Sequence, residues 1–264
     1  MPTPLQILAD PVSLAFFALY ITLLLWEAVR PARRLPAVPG WYVRGAVATV
    51  GYFFVSSYLP LWLAPYLEPL QIVNLSSLGT WWGGLVALLA YEFLGYAWHR
   101  AFLHGTDFGF RVFHQWHHSA ERLDVSSALW FSPLDMVGWT LVSTVALAVL
   151  GVSPGATVVF ILASTFLSIF QHANIRTPLW LGYLIQRPEN HARHHERGVH
   201  AGNYADLPVV DWMFGTFVNA SAFPAHTGYG EGASSRLVDM LLCKDVATAS
   251  PPRSSAALLQ RFAK

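Results

Sequence analysis

The sequence predicts an all-α fold: an integral membrane bundle of four or five spanning or re-entrant helices carrying a cytosolic, histidine-rich helical cap. Three observations predict it. Hydrophobic residues make up 54% of the 264 and charged residues 12%, about half the charged share of a soluble domain. The apolar residues raise the mean hydropathy to +0.41 and gather into stretches near the ~20 residues that cross a bilayer as a helix. Eleven histidines fall mostly just outside those stretches, where the chain turns polar.

The first apolar stretch, residues 12–28, ends at Arg30, Arg33 and Arg34. It lacks the basic lead and small-residue cleavage site of a signal peptide, so a retained anchor helix is expected. The second stretch covers 46–65, and the third, 81–98, runs directly into His99. The fourth and fifth, 136–152 and 156–170, are joined by a tight turn from Gly151 to Gly155 and read as a helical hairpin. Beyond Phe170, Pro178, Pro188, Pro208 and Pro224 break the chain. Residues 176–219 therefore read as a cap of short helices and loops, and 220–264 as a cytoplasmic tail with a short amphipathic helix at 234–242 and a flexible part at 247–257.

Orientation follows from Lys and Arg. With 29–45 on the cytoplasmic side, five crossings place 99–135 and 171–264 there too, and all 16 Lys and Arg residues lie in those three segments, as the positive-inside rule requires. Net charge of +1 gives no polybasic surface for nucleic acid. The lone Cys243 excludes an internal disulfide framework and a thiolate metal cluster.

Nine of the histidines form four clusters: His99 and His104; His114, His117 and His118; His172; and His191, His194 and His195. Two HxxHH boxes do not arise by chance, since at this histidine content one copy is expected about 0.02 times per chain. On a helix, positions i, i+3 and i+4 share a face, so each box is expected to present three imidazoles in one direction and grip a metal from one side. His99 and His104 lie about 140° apart on an ideal helix and face one site only if that helix ends or bends between them. His172 leaves the fifth stretch at the corresponding exit.

Nine neutral imidazoles are too many for one ion and suit two. Imidazole binds zinc, copper, nickel and iron, so ligand type does not choose among them. Two metals at a lipid boundary suit oxygen activation against an unreactive C–H bond, which needs a redox metal and favours iron. Two other classes use the same residues. A zinc-dependent membrane hydrolase wants an open metal position and a carboxylate base, for which Glu196 is the close candidate. A metal-binding or transport protein wants His and acids at mid-depth in several spans, whereas these histidines gather at one face.

The run HRAFLH at 99–104, HQWHH at 114–118, His172 ahead of Asn174, HARHH at 191–195 and the following HAGNYADLPVVDWMFGTF resemble the fatty acid hydroxylase/sterol desaturase superfamily of integral-membrane di-iron oxygenases. The resemblance covers about residues 80–219. It implies anchor helices over 1–79, a di-iron catalytic domain over 80–219, two iron ions (with zinc as a substitute in purified protein), and O2 as cosubstrate. It also implies a fatty acyl, sterol or related lipid substrate, hydroxylated or desaturated among the membrane lipids. Electrons then come from a separate donor, a ferredoxin or b-type cytochrome with its reductase, because the chain has no HPGG, CxxC or GxGxxG segment. Carried over by position, His99, His104, His114, His117, His118, His172, His191, His194 and His195 match the family's ligands. Where some relatives have a further histidine this chain has Arg176, leaving His200 or water to complete that shell. Asn174, Asn190, Asn203, Asp124 and Asp211 are candidates for fixing imidazole tautomers, and Glu92 for an intramembrane acid. Arg111, Arg122, Arg193 and Arg197 are candidates for docking an acidic donor or lipid head groups.

Overall fold

Four helices open on a small polar residue followed by proline. The side-chain oxygen accepts a backbone N–H that the first turn leaves unpaired, and the proline lacks a donor that had no partner. These pairs are Thr3 before α1 (Pro4–Leu8), Asp10 before α2 (Pro11–Val29), Ser132 before the helix Pro133–Leu150 and Ser153 before Pro154–Phe170. Between them run α3 (Trp41–Leu67), entered through Gly40 at φ +68, and α4 (Gly79–Tyr96). The helices from Ser132 and Ser153 are α5 and α6, followed by α7 (Pro188–His194), α8 (Pro208–Met213) and α9 (Leu237–Leu241). This computed structural model describes residues 1–247, among which the elements are helical. Past Ala247, the flexible segment expected at 247–257 lies outside the described residues.

Helices α2 to α6 run alternately between two ends. At one end the α2 residue Glu27 accepts from the backbone N–H groups of Val125 and Asn174, and Trp41 of α3 donates to Asp124. At the other, the N–H groups of Ile72, Val73 and Leu75 donate to the last carbonyls of α5. Every histidine cluster lies at the first end.

Three helices are long and apolar enough to cross a membrane: Pro11–Val29, Trp41–Leu70 (α3 with its extension) and Pro133–Leu150. Their outward residues, among them Leu14, Ile21, Leu25, Val43 and Val47, are exposed and apolar, as lipid contact requires. Helix α6 has 17 residues, about 26 Å at 1.5 Å per residue against a hydrocarbon core of about 30 Å. Helix α4 is diluted by glycines and Glu92. These two pack on each other: a Cβ at Gly84 would lie 2.6 Å from Val159 Cγ1, and one at Gly83 would lie 2.9 Å from Ala156 Cβ. Glycine at both positions is what lets the backbones approach.

The near part of the tail is a wall of the histidine end. Met240 and Val246, with Tyr229, pack on Trp41, Trp116 and Trp130, and the Val246 N–H donates to Gln115. The amphipathic helix expected at 234–242 is shorter, Leu237–Leu241, preceded by a 3-10 turn at Ala233–Ser235.

Candidate metal centre

Between His99 and His104 the helix widens and then ends, with His104 as its C-cap. After α4, Ala97–Leu103 is a π-helix, and the His104 N–H donates to the His99 carbonyl at 2.9 Å. A turn closed by i→i+5 bonds places residues five apart one above the other. That brings two imidazoles, which an α-helix would splay, to one site. A second π segment, Phe110–His114, delivers His114 into the helical turn Gln115–His118.

Nine imidazoles form two groups, His99, His104, His114, His118 and His194 in one, and His117, His172, His191 and His195 in the other; within a group the ligating nitrogens all lie within 4.8 Å. Each HxxHH box is therefore divided between the groups, where the sequence led us to expect one box to a metal. The i and i+4 members, 40° apart, go one way, and the i+3 member, 100° from i+4, goes the other. His114 and His118 join His194, while His191 and His195 join His117. The groups touch, with the His118 and His195 rings stacked at 4.3 Å.

Polar partners behind four of the rings fix their tautomers, while Nδ1 of His117, His191 and His195 has no partner among the described residues. His99 Nδ1–H donates to the Tyr204 carbonyl at 2.7 Å, His172 Nδ1–H to Ser168 O at 2.6 Å, and His194 Nδ1–H to Gly202 O at 2.7 Å. His114 Nδ1–H donates to the fully buried carboxylate of Asp135 at 2.8 Å. A neutral imidazole with its proton on Nδ1 has a bare lone pair on Nε2. The Nε2 atoms of His99 and His114 nevertheless face each other at 3.0 Å, with no hydrogen between them. The same 3.0–3.2 Å separation recurs for His104 with His118, His118 with His194, His117 with His172, His172 with His191, and His191 with His195. For His99 and His114, both of which hold the proton on Nδ1, lone pairs this close repel unless a cation lies between them.

Burial keeps all nine rings neutral, the form that ligates. His99 and His172 are pushed down to about 4, and the other seven well below their ordinary value, by desolvation first and neighbouring imidazoles second in most of them.

The remaining candidates act at one remove. His200 lies outside both groups, its Nδ1 3.0 Å from Nδ1 of His118; it stands beside the five-histidine group and so does not complete the four-histidine one. Asp211 accepts from the N–H groups of Tyr204 and Ala205, holding the strand of backbone whose carbonyl receives His99. Asn203 bridges the Asn190 and Val218 carbonyls, and Asn190 accepts from the Ala220 N–H. Asn174 donates to the Arg33 carbonyl, and Asp124 accepts from Trp41 and Arg122. These residues brace backbone. Glu196 pairs with Arg193, and Glu92 accepts from the Leu207 N–H at 2.9 Å, tying α4 to the cap. Sequence reasoning missed Asp135. Its signal was an acid one turn into an otherwise apolar helix opened by Ser132 and Pro133.

A cavity of about 1280 Å³ meets the groups from within the bundle. His99, His114, His117, His172 and His191 line its inner end, and Phe16, Phe53, Phe131, Phe160 and Ile169 line its walls. Helices long and apolar enough to cross a membrane, two facing imidazole groups that could hold metal and a chamber below them define a membrane protein of the metal-binding kind. The fatty acid hydroxylase family model matches residues 84–216, just over half of the chain, and the protein belongs to that family. Membership carries oxidoreductase chemistry on membrane lipid. No match was found among curated proteins or solved structures.

Proposed function

We propose that the protein is a di-iron, O2-dependent hydroxylase or desaturase of an unactivated lipid C–H bond, with its histidines at the cytoplasmic membrane face. The opposed Nε2 lone pairs carry this reading. Two ligands at right angles on a bond of about 2.1 Å stand about 3.0 Å apart, whereas tetrahedral ligands stand about 3.4 Å apart. The observed 3.0–3.2 Å fits nitrogens gathered on one cation, and the five imidazoles of the larger group exceed the four ligands of structural zinc, which supports iron. The nine histidines named as ligands would hold the two ions, one in each group.

When bound, the two irons supply the reductive activation of O2 that breaks the C–H bond. Everything else falls to this chain. Asp135 and the carbonyls of Tyr204, Ser168 and Gly202 hold protons on Nδ1 and so keep Nε2 free. Phe131, packed on His117, and Ile169 exclude water from the reacting end, and the chamber aligns a hydrocarbon against His117 and His172. A separate ferredoxin or b-type cytochrome with its reductase supplies electrons, docking on the histidine-end surface where Arg111 and Arg197 are exposed. Glu196, the base a hydrolase would need, is held by Arg193. The test is turnover by iron-loaded protein under isotope-labelled O2 with a reducing partner. Label in an alcohol product, or O2-dependent loss of two hydrogens, supports the proposal; product formed without O2 contradicts it.

A further inference from the structure

The chamber opens on the face opposite the histidines. Its lining residues are buried at the metal end, as with His117, His172 and Ile169, and become exposed at the far end at Gln6, Asp10, Leu61, Ala64, Glu68 and Gln71. Those six belong to the α1–α2 junction, the end of α3 and the loop after it. Tyr58 of α3 donates to the Pro2 carbonyl, which fixes the N-terminal segment at this rim.

The charged side chains of the mouth are one-sided. Asp10 and Glu68 are its carboxylates, Gln6 and Gln71 its amides, and residues 1–29, 45–99 and 123–175 contain no Lys or Arg. A carboxylate or phosphate head would meet like charge and find no cationic side chain. Its length is also set: Asp135, which holds His114, and Gly151, at the rim, are sixteen residues apart on α5, about 24 Å at 1.5 Å per residue. An extended hydrocarbon advancing about 1.3 Å per C–C bond of about 1.5 Å fills that with about eighteen carbons.

We propose that the substrate is a long single-chain lipid whose head group bears no negative charge, entering hydrocarbon end first from the face opposite the histidines and oxidised far from its head. This rests on the hydroxylase or desaturase reading for the reaction, but the binding preference is separable from it. The experiment follows tryptophan fluorescence, with Trp139→Phe as the control that isolates the share of Trp139 in the chamber lining, in anaerobic, metal-loaded protein in neutral-lipid nanodiscs, titrated with octadecan-1-ol, octadecylammonium and octadecanoate. The alcohol and the ammonium are expected to bind at least about fivefold tighter than the carboxylate at low salt, with the gap narrowing as salt rises. Glu68→Lys is expected to close the gap, and Glu68→Gln to halve it. With O2 and reductant, oxidation is expected near the methyl end of the chain. Equal or tighter octadecanoate binding, a ranking indifferent to Glu68, or oxidation beside the head group would overturn the proposal. The expected ranking without any O2-dependent product would support the mouth assignment and overturn the hydroxylase reading alone.

Discussion

His114 and Asp135 show what single residues contribute. The imidazole has its Nδ1 proton on a buried carboxylate and its Nε2 directed at His99, so the acid selects the tautomer and raises the basicity of the ligand nitrogen. Asp135→Asn keeps an acceptor but removes the charge. Metal affinity of the five-histidine group is expected to fall about 10- to 100-fold, read by metal content after dialysis against graded chelator, with the four-histidine group retained. Equal retention in variant and wild type would contradict that role. The histidines were legible in the sequence because nine of one rare residue type fell in four clusters. Most of their partners were not, because the carbonyls of Tyr204, Ser168 and Gly202 belong to backbone, which any residue supplies.

At the scale of elements, two local departures from α geometry place the ligands. The first is the π segment Ala97–Leu103. Inserting one residue after Ala101 lengthens the spacing between the two histidines and turns His104 about 100° away from its group, so bound metal is expected to drop by about half in elemental analysis, whereas deleting Ala101 leaves them four apart, about 40° on an α-helix, and is expected to retain it. The second is the loop after α7, where His200, Gly202 and Asn203 all have positive φ (+44°, +79° and +53°). This left-handed run turns the Gly202 carbonyl toward His194. A Cβ on residue 202 would lie 3.0 Å from the Thr216 carbonyl, and Gly202→Ala is expected to lower stability by about 1–2 kcal/mol, seen as a fall in thermal midpoint. Arg187, just ahead of α7 and 2% exposed, bonds Thr177, Asn219 and Ala220 and pairs with Glu189 at 3.2 Å. Arg187→Met strands a buried carboxylate and is expected to destabilise the cap by about 3–5 kcal/mol, measured by denaturant unfolding in detergent. The apolar stretches were readable to within about five residues of α2 to α6, whereas the capping residues Thr3, Asp10, Ser132 and Ser153 emerge with the structure. The π turns were not, because nothing in HRAFLH distinguishes a widened turn from a broken one except the need to bring its two ends together.

Across the whole molecule, charge and histidine share one end and the acidic chamber mouth occupies the other. The helical membrane architecture and the gathering of the histidines at one face were legible because they depend on composition and on the parity of apolar stretches. The sharing of each HxxHH box between two groups was not, because it depends on how the turn at 115–118 and α7 cross in space. Nor was the chamber, whose shape comes from packing among α2, α3, α5 and α6. The convergence of nine imidazoles into two groups makes them able to hold metal, and the proposed chemistry stands on which cations they take. Elemental analysis of protein purified from iron-replete cells, paired with assay of its lipid product in air and under argon, tests this most directly. About two irons per chain and a product formed only in air are predicted. Tight zinc in both groups with product formed equally under argon would contradict the account.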